Sequence, residues 1–336
     1  MSVQRRPARS IAALAVAFGL VLGLAGPAHA DWGDWGKEPA DSDDTGNAHV
    51  VAEQRVDSRT LDLTIASPAT GEQPKVRLLL PPEWSPDANR TWPVLYLLHG
   101  CCDSYEGWDK KTDVRELSQG QDVIVAMPAG GPSGFFADWW NSGNGGMDWG
   151  RFTVEELPQI LESGYRANDT RAIAGASTGG HAALIHAARY SDRYQAAAAY
   201  SPIANTLAWG LPWVIQALLE REGASSQALW GHPYLNRNIW HRYNPYDHTD
   251  ELQGTELFLS VGNGEDGPLD PPNPDGGLLE STVAPTVHDM ADRLEQSGIP
   301  ATTHFYGPGT HSWPYWEREL HHSWPMLMES LGVPTG

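Results

Sequence analysis

The sequence predicts an α/β domain, a mostly parallel central sheet with helices on both faces. Short apolar runs alternate with amphipathic or alanine-rich stretches from about residue 51 onward, the pattern of strands joined by crossover helices. The runs 94–98 (VLYLL) and 123–126 (VIVA) are continuously apolar, as strands buried on both faces must be. Residues 171–180 (RAIAGASTGG) set a strand, a glycine-bounded turn and the start of a helix around one serine.

Taken in order, the chain begins with a leader. Arg5, Arg6 and Arg9 precede an apolar run at 11–24, and Ala28-His29-Ala30 supplies a small-x-small cleavage site, so residues 1–30 read as a secretory signal peptide. The Arg5-Arg6 pair hints at a twin-arginine route, and a membrane anchor is the alternative, with an apolar run short for a span. Residues 31–50 are acidic and lack apolar periodicity, a flexible lead-in to a domain at 51–336. An antiparallel pair is expected at 61–65 and 76–80, separated by a turn at 68–71. Further strands fall at 94–98, 123–126, 171–174, 196–200, 257–261 and 302–306, and helices near 112–119, 153–164, 181–190, 281–296 and 316–331. The segment 202–250, with Trp209, Trp213, Trp230 and Trp240, reads as an excursion over the active-site end, a separate domain being the alternative.

The 336-residue chain carries a net charge of −20. Without the three leader arginines it is more acidic still, which disfavours nucleic acid and anionic membrane surfaces as partners and suits solubility outside a cell. The two cysteines, Cys101 and Cys102, are neighbours, so they form either a vicinal disulfide or two thiols; a secreted setting favours the first. No Cys/His spacing builds a closed zinc site, and neither a metal nor another cofactor is expected.

Gly175-Ala176-Ser177-Thr178-Gly179 fits G-x-S-x-G, and its strand–turn–helix setting is what a nucleophile elbow requires. The helix start behind Ser177 favours developing negative charge. Serine needs a base and the base an orienting acid. In α/β-hydrolase folds these follow in the order serine, acid, histidine, on loops after later strands. The strand at 257–261 leads into Gly262-Asn263-Gly264-Glu265-Asp266-Gly267-Pro268-Leu269-Asp270, a glycine-rich loop with three acids. The strand at 302–306 leads into a loop bearing His311, whereas His304 lies inside a strand and His321 and His322 on a late helix. His99-Gly100 ends a core strand with a turn whose backbone N–H, with that of Thr178, would make an oxyanion hole.

In these features the chain resembles the esterase D / antigen 85 family of serine esterases and acyltransferases, and its antigen 85 mycolyltransferase branch most. The resemblance rests on YLLHG (96–100), GWD (107–109), VAMPAGG…FFADWW (125–140), EELP (155–158), the elbow, ALWG…IW…NP (228–245), VGNG (261–264) and GTHSWPYW (309–316), and covers residues 58–330. It implies an α/β-hydrolase fold, Ser177 as nucleophile, His311 as base, and the amides of Cys101 and Thr178 as oxyanion donors. It places the acid shortly after GNG. Asp270, opening an apparent insertion, fits best; Asp266 is the rival and Glu265 third.

The mycolyltransferases carry an Asp before the first-loop glycine and an Arg two positions after it, at the trehalose end of the site. Here His99 and Cys102 stand there, and Asn141-Ser142-Gly143-Asn144-Gly145-Gly146 replaces a disulfide-bearing segment, so the resemblance carries the acyl-transfer core rather than the acceptor. His99 and Trp313 are the expected substrate contacts. Trp108, Trp139, Trp140, Trp209 and Trp213 would suit a sugar or flank an acyl chain, with core packing favoured for Trp139. Asp138 reads as a structural anchor, and His181 as facing either the cleft or solvent. The leading expectation is a secreted ester hydrolase/acyltransferase acting on a small-molecule or glycolipid ester, with water, a sugar or another alcohol as acceptor. A long-chain or trehalose mycolyltransferase of the cell envelope comes next, and a non-catalytic binding protein last.

Overall fold

A computed structural model describes residues 47–140 and 147–334. The expected signal peptide, most of the acidic lead-in and the 141–146 replacement segment lie outside the described residues. The described residues fall within one compact unit. No helix among the described residues is long and apolar enough to cross a membrane.

The strands are β1 (His49–Arg55), β2 (Thr60–Ala66), β3 (Lys75–Leu79), β4 (Trp92–Leu98), β5 (Ile124–Pro128), β6 (Ala167–Ala176), β7 (Ala196–Tyr200), β8 (Glu256–Val261) and β9 (Thr302–Phe305). They form one sheet in the order β1-β2-β3-β5-β4-β6-β7-β8-β9. The first three strands and the β3–β5 pair are antiparallel; β5, β4, β6, β7, β8 and β9 run parallel. The helices are α1 (Gly107–Lys111), α2 (Val114–Leu117), α3 (Trp149–Arg151), α4 (Leu157–Gly164), α5 (Thr178–Arg189), α6 (Leu211–Arg221), α7 (Arg237–Arg242), α8 (Gly277–Gln296) and α9 (Trp313–Ser330). A π-helical turn at Phe152–Glu156 precedes α4, and a 3₁₀ segment at Pro245–Leu252 precedes β8. This is the α/β-hydrolase fold.

Because successive strand residues point to opposite faces, each parallel strand feeds two cores. One face takes Tyr96, Leu98, Ile173, Ala197 and Leu259 against α5 and α8; the other takes Leu95, Leu97, Ala174, Ala198 and Phe258 against α9. The four alanines of β7 (196–199) carry no bulk on either face, so α5, itself rich in alanine, packs close to the sheet beside the serine it starts from.

Two expectations change at helix and strand ends. Strand β1, which lacks apolar alternation and is mostly exposed, pairs with β2 at the sheet edge. Helix α8 starts at Gly277, four residues earlier than its apolar periodicity suggests, because its first turn carries the exposed Leu278 and the buried Glu280.

The core also holds His181 and His186, both on α5. His181 is sealed between Phe135 and Trp230, its Nδ1 against the Ile203 carbonyl at 3.1 Å, so it faces neither cleft nor solvent. Burial holds its pKa down at about 4, and burial with the neighbouring Arg189 charge holds that of His186 at about 3. Both rings are neutral in the fold, while the unfolded chain takes up protons near the ordinary histidine value of ~6.5. Stability therefore falls as pH drops from about 6.5 towards 4, at roughly 1.4 kcal/mol per unit for each group. His186→Leu should flatten the dependence of Tm on pH between 7 and 4.5. An unchanged slope would remove His186 from the account.

Candidate active site

The parallel strands deliver four loops to one end of the sheet, after β4, β6, β8 and β9. Ser177 stands between the end of β6 and the start of α5 with φ 57° and ψ −120°, a conformation costly for a residue with a Cβ. Its N–H donates to the Tyr200 carbonyl at 2.8 Å, which helps hold the turn in that state. The turn closes only because its flanks have no side chains. A Cβ on Gly175 would lie 2.3 Å from the Gly179 carbonyl oxygen, and one on Gly179 would lie 2.4 Å from that of His99.

His311 Nε2 sits 2.8 Å from Ser177 Oγ. Its Nδ1 is 2.7 Å from a carboxylate oxygen, which belongs to Glu280. Asp270, expected in that place, is turned away. Its oxygens accept from Thr310 Oγ1, from the Gly267 N–H at 2.8 Å and from Tyr315 Oη at 3.0 Å, so it braces the loop next to His311. Asp266 and Glu265 are exposed on the same loop. The glycine-rich stretch after β8 is long, and the carboxylate that reaches the histidine comes only after it, one turn into α8.

Glu280 has no exposed surface. Its Oε1 accepts from the Gly262 N–H at 2.7 Å, Ser201 Oγ at 2.8 Å and Tyr306 Oη at 3.1 Å. Burial alone would raise its pKa, but the hydrogen bond and charge of His311, with the Gly262 and Ser201 donors, outweigh it and hold the carboxyl below its ordinary value. A buried carboxylate so furnished is ionised and fixed in direction. Trp316 lies edge-on to the His311 ring at 5.1 Å and donates its indole N–H to Ser201 Oγ.

Gly100 packs against the elbow, with Ser177 Cβ 3.1 Å from where its own Cβ would stand. Cys101 and Cys102, joined as a vicinal disulfide, follow it at the wall of the cleft. The amides of Cys101 and Thr178 donate to no other protein group among the described residues; that of Thr178 is the first of α5 and points with the positive end of the helix dipole.

His99 does not meet the expectation of a substrate contact. Its ring is buried against Phe136 with Nδ1 2.8 Å from the Gly100 carbonyl, because β4 carries it inward beneath the turn. Trp313 does line the cleft, packed on Trp108 and Trp316 and bonded through its indole N–H to Asp103. Trp139 is buried and Asp138 accepts from the Arg151 N–H and Tyr243 Oη, both as anchors would.

The cleft measures about 480 Å³. Leu218, Leu279, Trp313 and Trp316 give it apolar walls, with Lys111 and Arg221 as cations. Leu218 and Arg221 belong to α6, so the 202–250 excursion does reach over this end of the sheet.

A protein-family model for esterases, described as "Putative esterase", matches residues 67–327. The diacylglycerol acyltransferase/mycolyltransferase Ag85B of Mycobacterium avium is 32% identical over 256 residues, 73% of this chain and 77% of that protein. Esterase Rv1288 of Mycobacterium tuberculosis is 29% identical over 272 residues, 78% of this chain and 58% of that one. Among solved structures, Mycobacterium tuberculosis MPT51 (FbpC1) superposes with a TM-score of 0.65 at 22% identity, covering 80% of this chain and 97% of that chain. An S-formylglutathione hydrolase from Agrobacterium tumefaciens gives 0.64 at 18%, covering 84% and 99%. The two structural likenesses speak to the fold.

Proposed function

Since this chain belongs to the esterase family, an enzyme family of acyl transfer at esters, we propose that it works through a Ser177–His311–Glu280 triad and a covalent acyl-enzyme. The observation that carries this reading is the continuous line from Ser177 Oγ through both His311 nitrogens to a buried, ionised Glu280. His311 Nε2 takes the Ser177 proton as Oγ attacks the ester carbonyl. Glu280 keeps the other proton on Nδ1 and stabilises the imidazolium that forms. The developing oxyanion is held by the amides of Cys101 and Thr178, one such donor being worth ~3 kcal/mol. The imidazolium then protonates the leaving alcohol. Water or an acceptor alcohol, deprotonated by the same histidine, releases the acyl group from Ser177.

The acyl chain lies along Leu218, Leu279, Trp313 and Trp316. A second reading, transfer of a long acyl chain to a sugar or other alcohol, is favoured by these apolar walls and by the 32% identity to a protein named a diacylglycerol acyltransferase/mycolyltransferase. A p-nitrophenyl ester series from C2 to C16, with and without trehalose and with Ser177→Ala as blank, separates the two. Short-chain preference and indifference to trehalose mean a hydrolase. Long-chain preference with a new trehalose ester among the products means an acyltransferase. Loss of the 1–30 leader and export follow from its basic, apolar and small-x-small regions. The mass of the chain recovered from culture medium should begin at Asp31; a chain retained inside the cell with its leader intact would contradict export.

A further inference from the structure

Away from the cleft, three side chains converge where β9 meets α9. His304 stands on β9, and Glu319 and His322 lie three residues apart on α9, a spacing that puts both on one helix face above the strand. One donor atom from each lies within 4.8 Å of the other two. His304 Nδ1 is 2.7 Å from Glu319 Oε2, and the two imidazole rings are 4.6 Å apart at their centroids. Glu319 is wholly buried, while His322 is exposed, with no protein partner for its ring nitrogens among the described residues. Arg318 donates to Glu319 Oε1 at 2.8 Å and lies over the Tyr306 ring, which leaves Oε2 as the oxygen turned to the histidines.

We propose that His304, Glu319 and His322 form a zinc-binding site. Two imidazoles and one carboxylate oxygen are the donor set of an open zinc centre, with a fourth position for water. Nitrogen donors argue against calcium or magnesium, which take oxygen ligands. Two ligands at 2.0–2.1 Å from a tetrahedral zinc stand ~3.3 Å apart, so the His304–Glu319 contact opens by about half an ångström as the cation replaces its proton. The sequence hides this site, because the ligands come from a strand and a helix on either side of the His311 loop rather than from one spaced motif. That placement gives zinc a consequence: it ties β9 to α9 at the base of the loop that carries His311. The inference stands whichever acyl acceptor the enzyme uses.

The test is a Zn²⁺ titration of the metal-free full chain against a chromophoric chelator, kept under oxidising conditions so that Cys101 and Cys102 offer no thiolates. One equivalent should bind. In His322→Ala, an exposed position whose loss leaves the fold alone, affinity should drop about tenfold or more, since loss of even an outer-sphere partner costs 10–100-fold. Thermal melts are the second readout: at one Zn²⁺ concentration the rise in Tm should be clearly larger in the parent chain than in His322→Ala, as linkage to the folded state requires. Equal affinity in the two chains, or no binding by the parent, overturns the proposal.

Discussion

Replacing Ser177 or His311 with alanine is expected to lower kcat on a p-nitrophenyl ester by about a millionfold. Under the proposed triad the two side chains act as one unit, so the double variant should be no slower than either single one. Ser177→Ala removes one oxygen and should keep the parent Tm. His311→Ala leaves the Glu280 carboxylate buried without its main partner, and should melt at a lower temperature while keeping its circular dichroism. Both should remain faster than the uncatalysed reaction by roughly 10³-fold, through binding and the amides of Cys101 and Thr178. Substantial turnover in either variant would remove that residue from the chemistry.

The second large effect separates two carboxylates. Glu280→Gln should cost about 10⁴-fold in kcat with little change in KM. Glutamine keeps the shape and an acceptor for Ser201 and Gly262, but it cannot stabilise the imidazolium. Its amide can also donate to Nδ1, which drives the ring proton onto Nε2, where it blocks proton abstraction from Ser177. Asp270→Asn should stay within about tenfold of the parent, ~1.4 kcal/mol of barrier, because Asp270 acts on the loop through Thr310 and Tyr315 rather than on His311. The reverse ranking would return the acid to the loop after β8.

The contrast between those two acids shows where the sequence runs out. The buried parallel strands were legible because they are continuously apolar, and the elbow because a tight turn beside a helix leaves glycine as the only fit on either side of Ser177. His311 was legible as the candidate base because such a base is expected on a loop after a strand at the nucleophile's end of the sheet. Glu280 obeys the same chain order of serine, acid and histidine, yet it sits inside a helix whose first turn has no apolar period. A carboxylate in the glycine-rich loop looked better placed. The remaining signal was indirect: a 20-residue helix that opens on Gly276-Gly277 can set a buried acid one turn in. His99 misled for a related reason. Its position by the oxyanion turn was readable, but whether β4 points it into the cleft or under the turn depends on strand register. The His304–Glu319–His322 cluster was hidden altogether, since only the packing of β9 on α9 brings it together.

The most direct test of the triad is the site at which a fluorophosphonate reacts. Attack by Ser177 Oγ on phosphorus expels fluoride and leaves one phosphonyl group per chain, which intact mass and peptide mapping locate. The account predicts stoichiometric label on Ser177 in the parent chain, none in Ser177→Ala, and labelling slowed by orders of magnitude in His311→Ala and Glu280→Gln. An active chain that carries its label on another residue, or stays unlabelled while activity is abolished, would contradict it.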